Sequence, residues 1–247
     1  TMLGIVIGNA SVIAMIGIGE GGQKFVNNQL ESLGSNVLFV LPGNQETERI
    51  TFDIPKTLVL ADAQAIVTQV PTVAGVAPEL NRRYVVTYGN RNTDVNIIGT
   101  TPGFPLVRDF EIARGRFFNE IDIKRSNQVA VLGADLAEKL FGSTNPLGKQ
   151  IRIKNNSFQI IGTLEGKGSG LGGPNYDEAA LIPITTSANR LVGKNSPYGI
   201  ALDFLVVSAT NDDSVDAAEF QIRNLLRLRH KIIGEDDITV RSQKDAQ

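Results

Sequence analysis

The hydrophobic pattern of this chain changes character at Glu20. Residues 1–19 carry no charge and are dominated by Ile, Val, Leu, Ala, Met and Gly, whereas beyond Glu20 apolar positions recur at the spacings of ordinary helices and strands. At about 1.5 Å per residue, a helix from Met2 to Ile18 covers roughly 25 Å, slightly short of the roughly 30 Å apolar thickness of a bilayer. The pattern predicts a membrane helix that begins upstream of residue 1. A cleaved secretory signal and a buried globular helix are the alternatives. No basic n-region precedes the run, and the small residues at 17–22 lead straight into further helical spacing. Gly4 and Gly8 have the small-xxx-small spacing that lets membrane helices pack closely. Phe25, Val26, Leu30 and Leu33 extend the helical period to a stop at Gly34, so 1–34 is expected to be one membrane and stalk helix.

Past this segment the pattern alternates between periods. An apolar strand at 36–41 closes on Pro42 and Gly43; 60–69 has helical spacing and ends before Pro71; 73–78 is extended; 82–88 and 94–100 form a hairpin across 89–93. The middle of the chain offers short strands at 129–132, 150–153, 158–164 and 180–182, with one helix at 134–141 stopped by Gly142. The end returns to strand 202–208, amphipathic helix 214–233 and strand 238–241. Because this closing unit resembles the opening one, the expected fold class is α+β. A discontinuous α/β domain over 35–85 and 198–247 is interrupted by a β-rich subdomain over 86–197.

Composition narrows the chemistry. Lys and Arg number 24 against 26 Asp and Glu, a net charge of −2 without a basic footprint for nucleic acid. The absence of cysteine excludes disulfides and thiolate metal sites. Gly17, Gly19 and Gly22 match G-x-G-x-x-G, but they follow too long an apolar run, and 37–42 lacks the carboxylate that would hold a ribose. The stretch 162–169, Gly-Thr-Leu-Glu-Gly-Lys-Gly-Ser, imitates a phosphate loop. Its spacing is one residue short, and Gly168 stands where a hydroxyl must bind Mg²⁺. His230, in a basic run near a helix end, is expected to be a surface cap, and Glu235, Asp236 and Asp237 a solvated turn. No catalytic residue, cofactor or metal site is expected. The glycine-rich loop at 166–174, with Gly168, Gly170, Gly172 and Gly173, is either an exposed loop or a segment ordered by a partner or a second copy of the chain.

Several of these stretches also carry a family resemblance. The run Leu3 to Met15, then Ile18-Gly19-Glu20-Gly21, then Leu30 to Asn36 closely resembles the start of MacB-type ABC transporter permeases. Gly115-Arg116-Phe117-Phe118 with Asp122, Val131-Leu132-Gly133, Leu140-Phe141-Gly142 and Pro146-Leu147-Gly148 look like motifs of the same family's periplasmic core. The resemblance implies a porter-like α/β domain with a β-rich insertion, carried between membrane helices in a Gram-negative inner membrane and working as a homodimer. It implies ATP hydrolysis on a separate or fused nucleotide-binding domain, coupled to export through a periplasmic adaptor and a TolC-like outer-membrane channel. Lipoprotein-releasing permeases share the layout, and a membrane-anchored periplasmic binding module or enzyme is the reading from another class.

Overall fold

A computed structural model of the chain describes residues 35–43, 55–168, 175–193 and 195–242. The expected membrane and stalk helix lies outside them. Among the described residues, no helix is long and apolar enough to cross a membrane.

The fold is mixed α/β, built on one extensive sheet. β1 (Val37–Pro42) is apolar at almost every position because both its faces are covered, and its first four residues are buried. It lies between β9 (Phe204–Ala209) and β10 (Ile238–Ser242), antiparallel to both. Two helices cover one face: α1 (Leu60–Gln69) and α6 (Val215–Arg229). α6 buries Ala218, Ile222 and Leu226, one residue per turn at the i, i+4, i+8 spacing of a single helix face.

The long β2 (Val73–Tyr88) joins this open sheet to the rest of the molecule. Its first half pairs with β9 as far as Glu79, and from Leu80 onward it pairs with β3 (Arg91–Thr100). The chain continues through α2 (Phe104–Val107), β4 (Ile112–Gly115), α3 (Glu120–Arg125), β5 (Val129–Leu132) and α4 (Ala134–Phe141). β6 (Gln150–Ile153), β7 (Asn156–Leu164) and β8 (Ala179–Pro183) follow, then α5 (Ile184–Thr186), which runs into a π-helical turn at Ser187–Val192. β3 pairs β8, β8 pairs β5, β5 pairs β7, β7 pairs β6, and β6 returns to β2. These pairings close a ring of strands around a second apolar core that includes Val86, Ile97, Ile153, Phe158, Ile160 and Ile182. Closure removes the free edges that an isolated β-rich insertion would expose.

Three sequence expectations change here. The hairpin turns at Gly89 (φ 55) and Asn90, so the polar residues at 91–93 are strand rather than loop. Asn92 stands opposite Thr87 and accepts its hydroxyl at 2.8 Å, as befits a solvent-facing cross-strand pair. The middle region has short helices besides α4. In α3, the Asn119 side chain accepts the amides of Ile121 and Asp122, while Asp122 accepts that of Asn119, a capping box at a weak helix. Finally, α6 ends at Arg229 rather than 233, because Lys231 takes a left-handed conformation (φ 55).

Candidate functional site

Where β2 passes from one partner strand to the other, a polar cluster sits inside the apolar core. Glu79 is the last β2 residue paired with β9, and its carboxylate is fully buried. One oxygen, Oε1, accepts hydrogen bonds from Arg108 Nη2 at 2.7 Å, Arg108 Nε at 3.1 Å and the Tyr176 hydroxyl at 2.9 Å. Arg108 also donates to that hydroxyl. It occupies the C-cap of α2, and its guanidinium faces the rings of Phe39, Phe204 and Tyr176 at 5.5, 5.8 and 5.1 Å. Burial raises the Tyr176 phenol well above its usual pKa, so it remains a neutral donor.

Beside this cluster lie the two ends of the glycine-rich segment. Asp177 Oδ1 and Oδ2 accept the backbone amides of Lys167 and Gly168 at 3.1 and 2.6 Å. Gly168 supplies the left-handed backbone (φ 76) that turns its amide inward. The phosphate-loop look-alike therefore cradles an anion, and the anion is a carboxylate of the same chain. Lys167 Nζ reaches Asp109 at 3.2 Å and the Arg108 carbonyl at 3.3 Å, above the Phe110 ring. Gly133 allows the close crossing at the other arm, since a Cβ there would meet the Tyr176 carbonyl oxygen at 2.1 Å. Of the loop glycines predicted from the sequence, Gly168 is placed here. Gly170, Gly172 and Gly173 lie outside the described residues, as do Gly4 and Gly8.

A second ionic cluster joins the far ends of α1 and α6. His230 Nε2 lies 2.9 Å from Asp62, and Nδ1 lies 2.9 Å from both oxygens of Asp237. Arg229 Nε also reaches Asp62, at 2.8 Å, and the Val59 amide donates to it at 3.0 Å. Hydrogen bonds to Asp237 and Asp62 push the His230 pKa up to about 9, against the effect of burial. Burial would raise Asp62, but the bonds from His230, Arg229 and Val59 outweigh it and hold the carboxyl below its usual range. His230 does take the C-cap position of α6, as expected, but it is half-buried and clamped by two carboxylates rather than lying free at the surface. The expected solvated turn is engaged too: Asp237 binds His230, and Asp236 binds Arg223 and Arg227.

Among the described residues, no group of three or more His, Cys, Asp or Glu could hold a metal ion. Both ring nitrogens of His230 are engaged by carboxylates, Nε2 by Asp62 and Nδ1 by Asp237.

Comparison with known proteins gives a consistent result. Residues 1–225 match the family model for the MacB-like periplasmic core domain. Over 242 residues, 98% of this chain, it is 35% identical to the macrolide export ATP-binding/permease protein MacB of Marinobacter nauticus, covering 36% of that protein. It is also 35% identical over 231 residues to the pyoverdine export ATP-binding/permease protein PvdT of Pseudomonas aeruginosa, covering 94% of this chain and 33% of that protein. The chain thus spans about a third of the length of these relatives. The fold is similar to the periplasmic region of MacB from Actinobacillus actinomycetemcomitans, with a TM-score of 0.72 at 22% identity over 87% of this chain and 92% of that one. It is similar also to the extracellular domain of the ABC-type transporter YknZ from Gram-positive bacteria, with a TM-score of 0.66 at 19% identity over 84% of this chain and all of that one.

Proposed function

This chain belongs to the MacB-like periplasmic core domain family, and from that premise we propose that it is the periplasmic part of an ABC exporter permease. The family match carries the reading. The pairing of β1 with β10 supports it: Leu38 stands opposite Ser242, so the described body is entered and left at one end of two adjacent strands. A domain carried between two membrane helices needs such an arrangement.

In this proposal 1–34 is the first membrane helix and stalk, with Gly4 and Gly8 at a helix contact. Residues 35–85 and 198–247 form the porter-like part, and 86–197 form the insertion. ATP is hydrolysed on a cytoplasmic nucleotide-binding domain outside this chain. The stalk passes the resulting movement to the periplasmic body, and the cargo, apolar or amphiphilic, is handed to a periplasmic adaptor and a TolC-like channel. The permease acts as a homodimer in the inner membrane, and the loop containing Gly168, Gly170, Gly172 and Gly173 meets a partner.

The test is export and ATP hydrolysis measured together in membranes containing the complete transporter, with a macrolide and a pyoverdine-type siderophore as trial cargoes. Val26→Pro in the expected stalk removes a helix hydrogen bond and clashes with the preceding turn, at a cost of about 3 kcal/mol or more. Export is expected to collapse while ATP hydrolysis continues. Normal export from a well-expressed Val26→Pro transporter would rule out a continuous rigid stalk.

A further inference from the structure

We infer that the buried Glu79–Arg108–Tyr176 cluster sets the angle between the open sheet and the closed ring of strands, acting as a positioning device rather than a stabilising one. It rests on the exporter reading only for its biological use.

The location carries the first part of the argument. The two regions share β2, and the strand changes partners between Glu79 and Leu80. Glu79 is therefore the last residue held by the open sheet. Arg108 and Tyr176 come from segments that flank ring strands, α2 after β3 and the 3₁₀ turn before β8. The rings of Phe39 and Phe204, facing the guanidinium, come from β1 and β9 of the open sheet. The cluster thus gathers groups from both regions at the residue where they meet.

The chemistry carries the second part. A continuous apolar core crosses the junction, and apolar contact is non-directional, so it tolerates a range of angles. Three donor atoms converging on Glu79 Oε1 tolerate far less, because charge-assisted bonds weaken steeply off axis. A buried ion pair is costly to desolvate, and well-packed apolar replacements are often as stable or more so. What such a pair can add is a single geometry. A second set of bonds restrains the same point: Asp203 donates its amide to the Glu79 carbonyl at 2.9 Å, and its carboxylate accepts the Asn81 amide at 2.6 Å and Arg82 at 2.9 Å.

The chain has no cysteine, so two introduced cysteines label it uniquely. Ala217→Cys on α6 reports on the open sheet, and Glu138→Cys on α4 reports on the ring; both positions are exposed. Spin labels at the two sites in the full chain, kept in detergent, give a distance distribution by pulsed electron paramagnetic resonance. In Glu79→Leu/Arg108→Met, which removes both charges, the distribution is expected to widen at least twofold in protein that still melts cooperatively. An unchanged width in that folded variant overturns the inference. If the double variant does not fold, Tyr176→Phe decides by the same measurement. That variant keeps the ion pair and loses two directional bonds, the one from the hydroxyl to Glu79 and the one from Arg108 to the hydroxyl; broadening supports the inference and an unchanged width overturns it. Because the readout is a distance and not transport, failure here leaves the exporter reading standing.

Discussion

The two ionic clusters are built alike and placed differently. Each ties together segments distant in sequence, 79, 108 and 176 in one and 62, 230 and 237 in the other, and each has a carboxylate that receives several donors. The Glu79–Arg108 side chains are 0% and 1% exposed, whereas His230 is 11% and Asp237 25% exposed. In the first cluster burial raises the Tyr176 phenol, which stays neutral, while the Arg108 pKa, lowered by burial but raised more by Tyr176 and Glu79, lies above its usual value. The second contains an imidazole that titrates. The same bonding pattern therefore gives a fully buried contact inside the fold and, at its rim, one whose imidazole titrates.

The largest expected effect breaks the buried member. Arg108→Ala leaves the Glu79 carboxylate unpaired in the core and is expected to cost about 3–5 kcal/mol in urea unfolding. A loss below about 1 kcal/mol would erase the contrast with the rim cluster.

The intermediate effect uses pH. The folded pKa of His230 is about 9, above its ordinary 6.5. Its contribution is therefore fully present below pH 6.5 and is lost as pH rises through 9. Stability is expected to fall by about 2 kcal/mol between neutral pH and pH 10, a figure already reduced for solvent screening. His230→Gln should lower stability at neutral pH and flatten that alkaline decline. An undiminished decline in the variant would assign it to other groups.

The smallest effect calibrates both. Arg83 and Asp94 form a 2.9 Å pair that is 70% and 61% exposed. Arg83→Ala is expected to change stability by no more than about 0.5 kcal/mol in the same urea series. A loss comparable to that of Arg108→Ala would mean that burial does not separate these contacts.

Much of the secondary structure was legible from local pattern. The helix expected at 60–69 is α1, and the expectations at 129–132, 134–141 and 150–153 coincide with β5, α4 and β6. Each has a clear period and a strong stop, such as Pro71 after α1 or Gly142 after α4. Polar strand residues were harder: Arg91, Asn92 and Thr93 look like a loop until their cross-strand partners are known. The cap of α3, formed by Asn119 and Asp122, went unread, because the helix is too short for a period to emerge and draw attention to it. The clusters left almost no sequence signal, since Arg108 lies 29 residues from Glu79 and Tyr176 lies 97 from it. Asp237 was the exception. It stands seven residues from His230, across a turn that contains Gly234, and a search for carboxylates just beyond the helix end would have found it.

The pairing of Leu38 with Ser242 has a mechanical consequence. Forces applied through the two flanking segments load β1 and β10 at the same end. If both segments are displaced together, the strand pair translates as a unit and its ladder carries no tension. If they are pulled apart, the hydrogen bonds between the strands are strained one after another from that end, like a zipper, rather than all at once in shear. Common displacement is therefore transmitted to the whole sheet, while differential displacement is absorbed at its outermost strand.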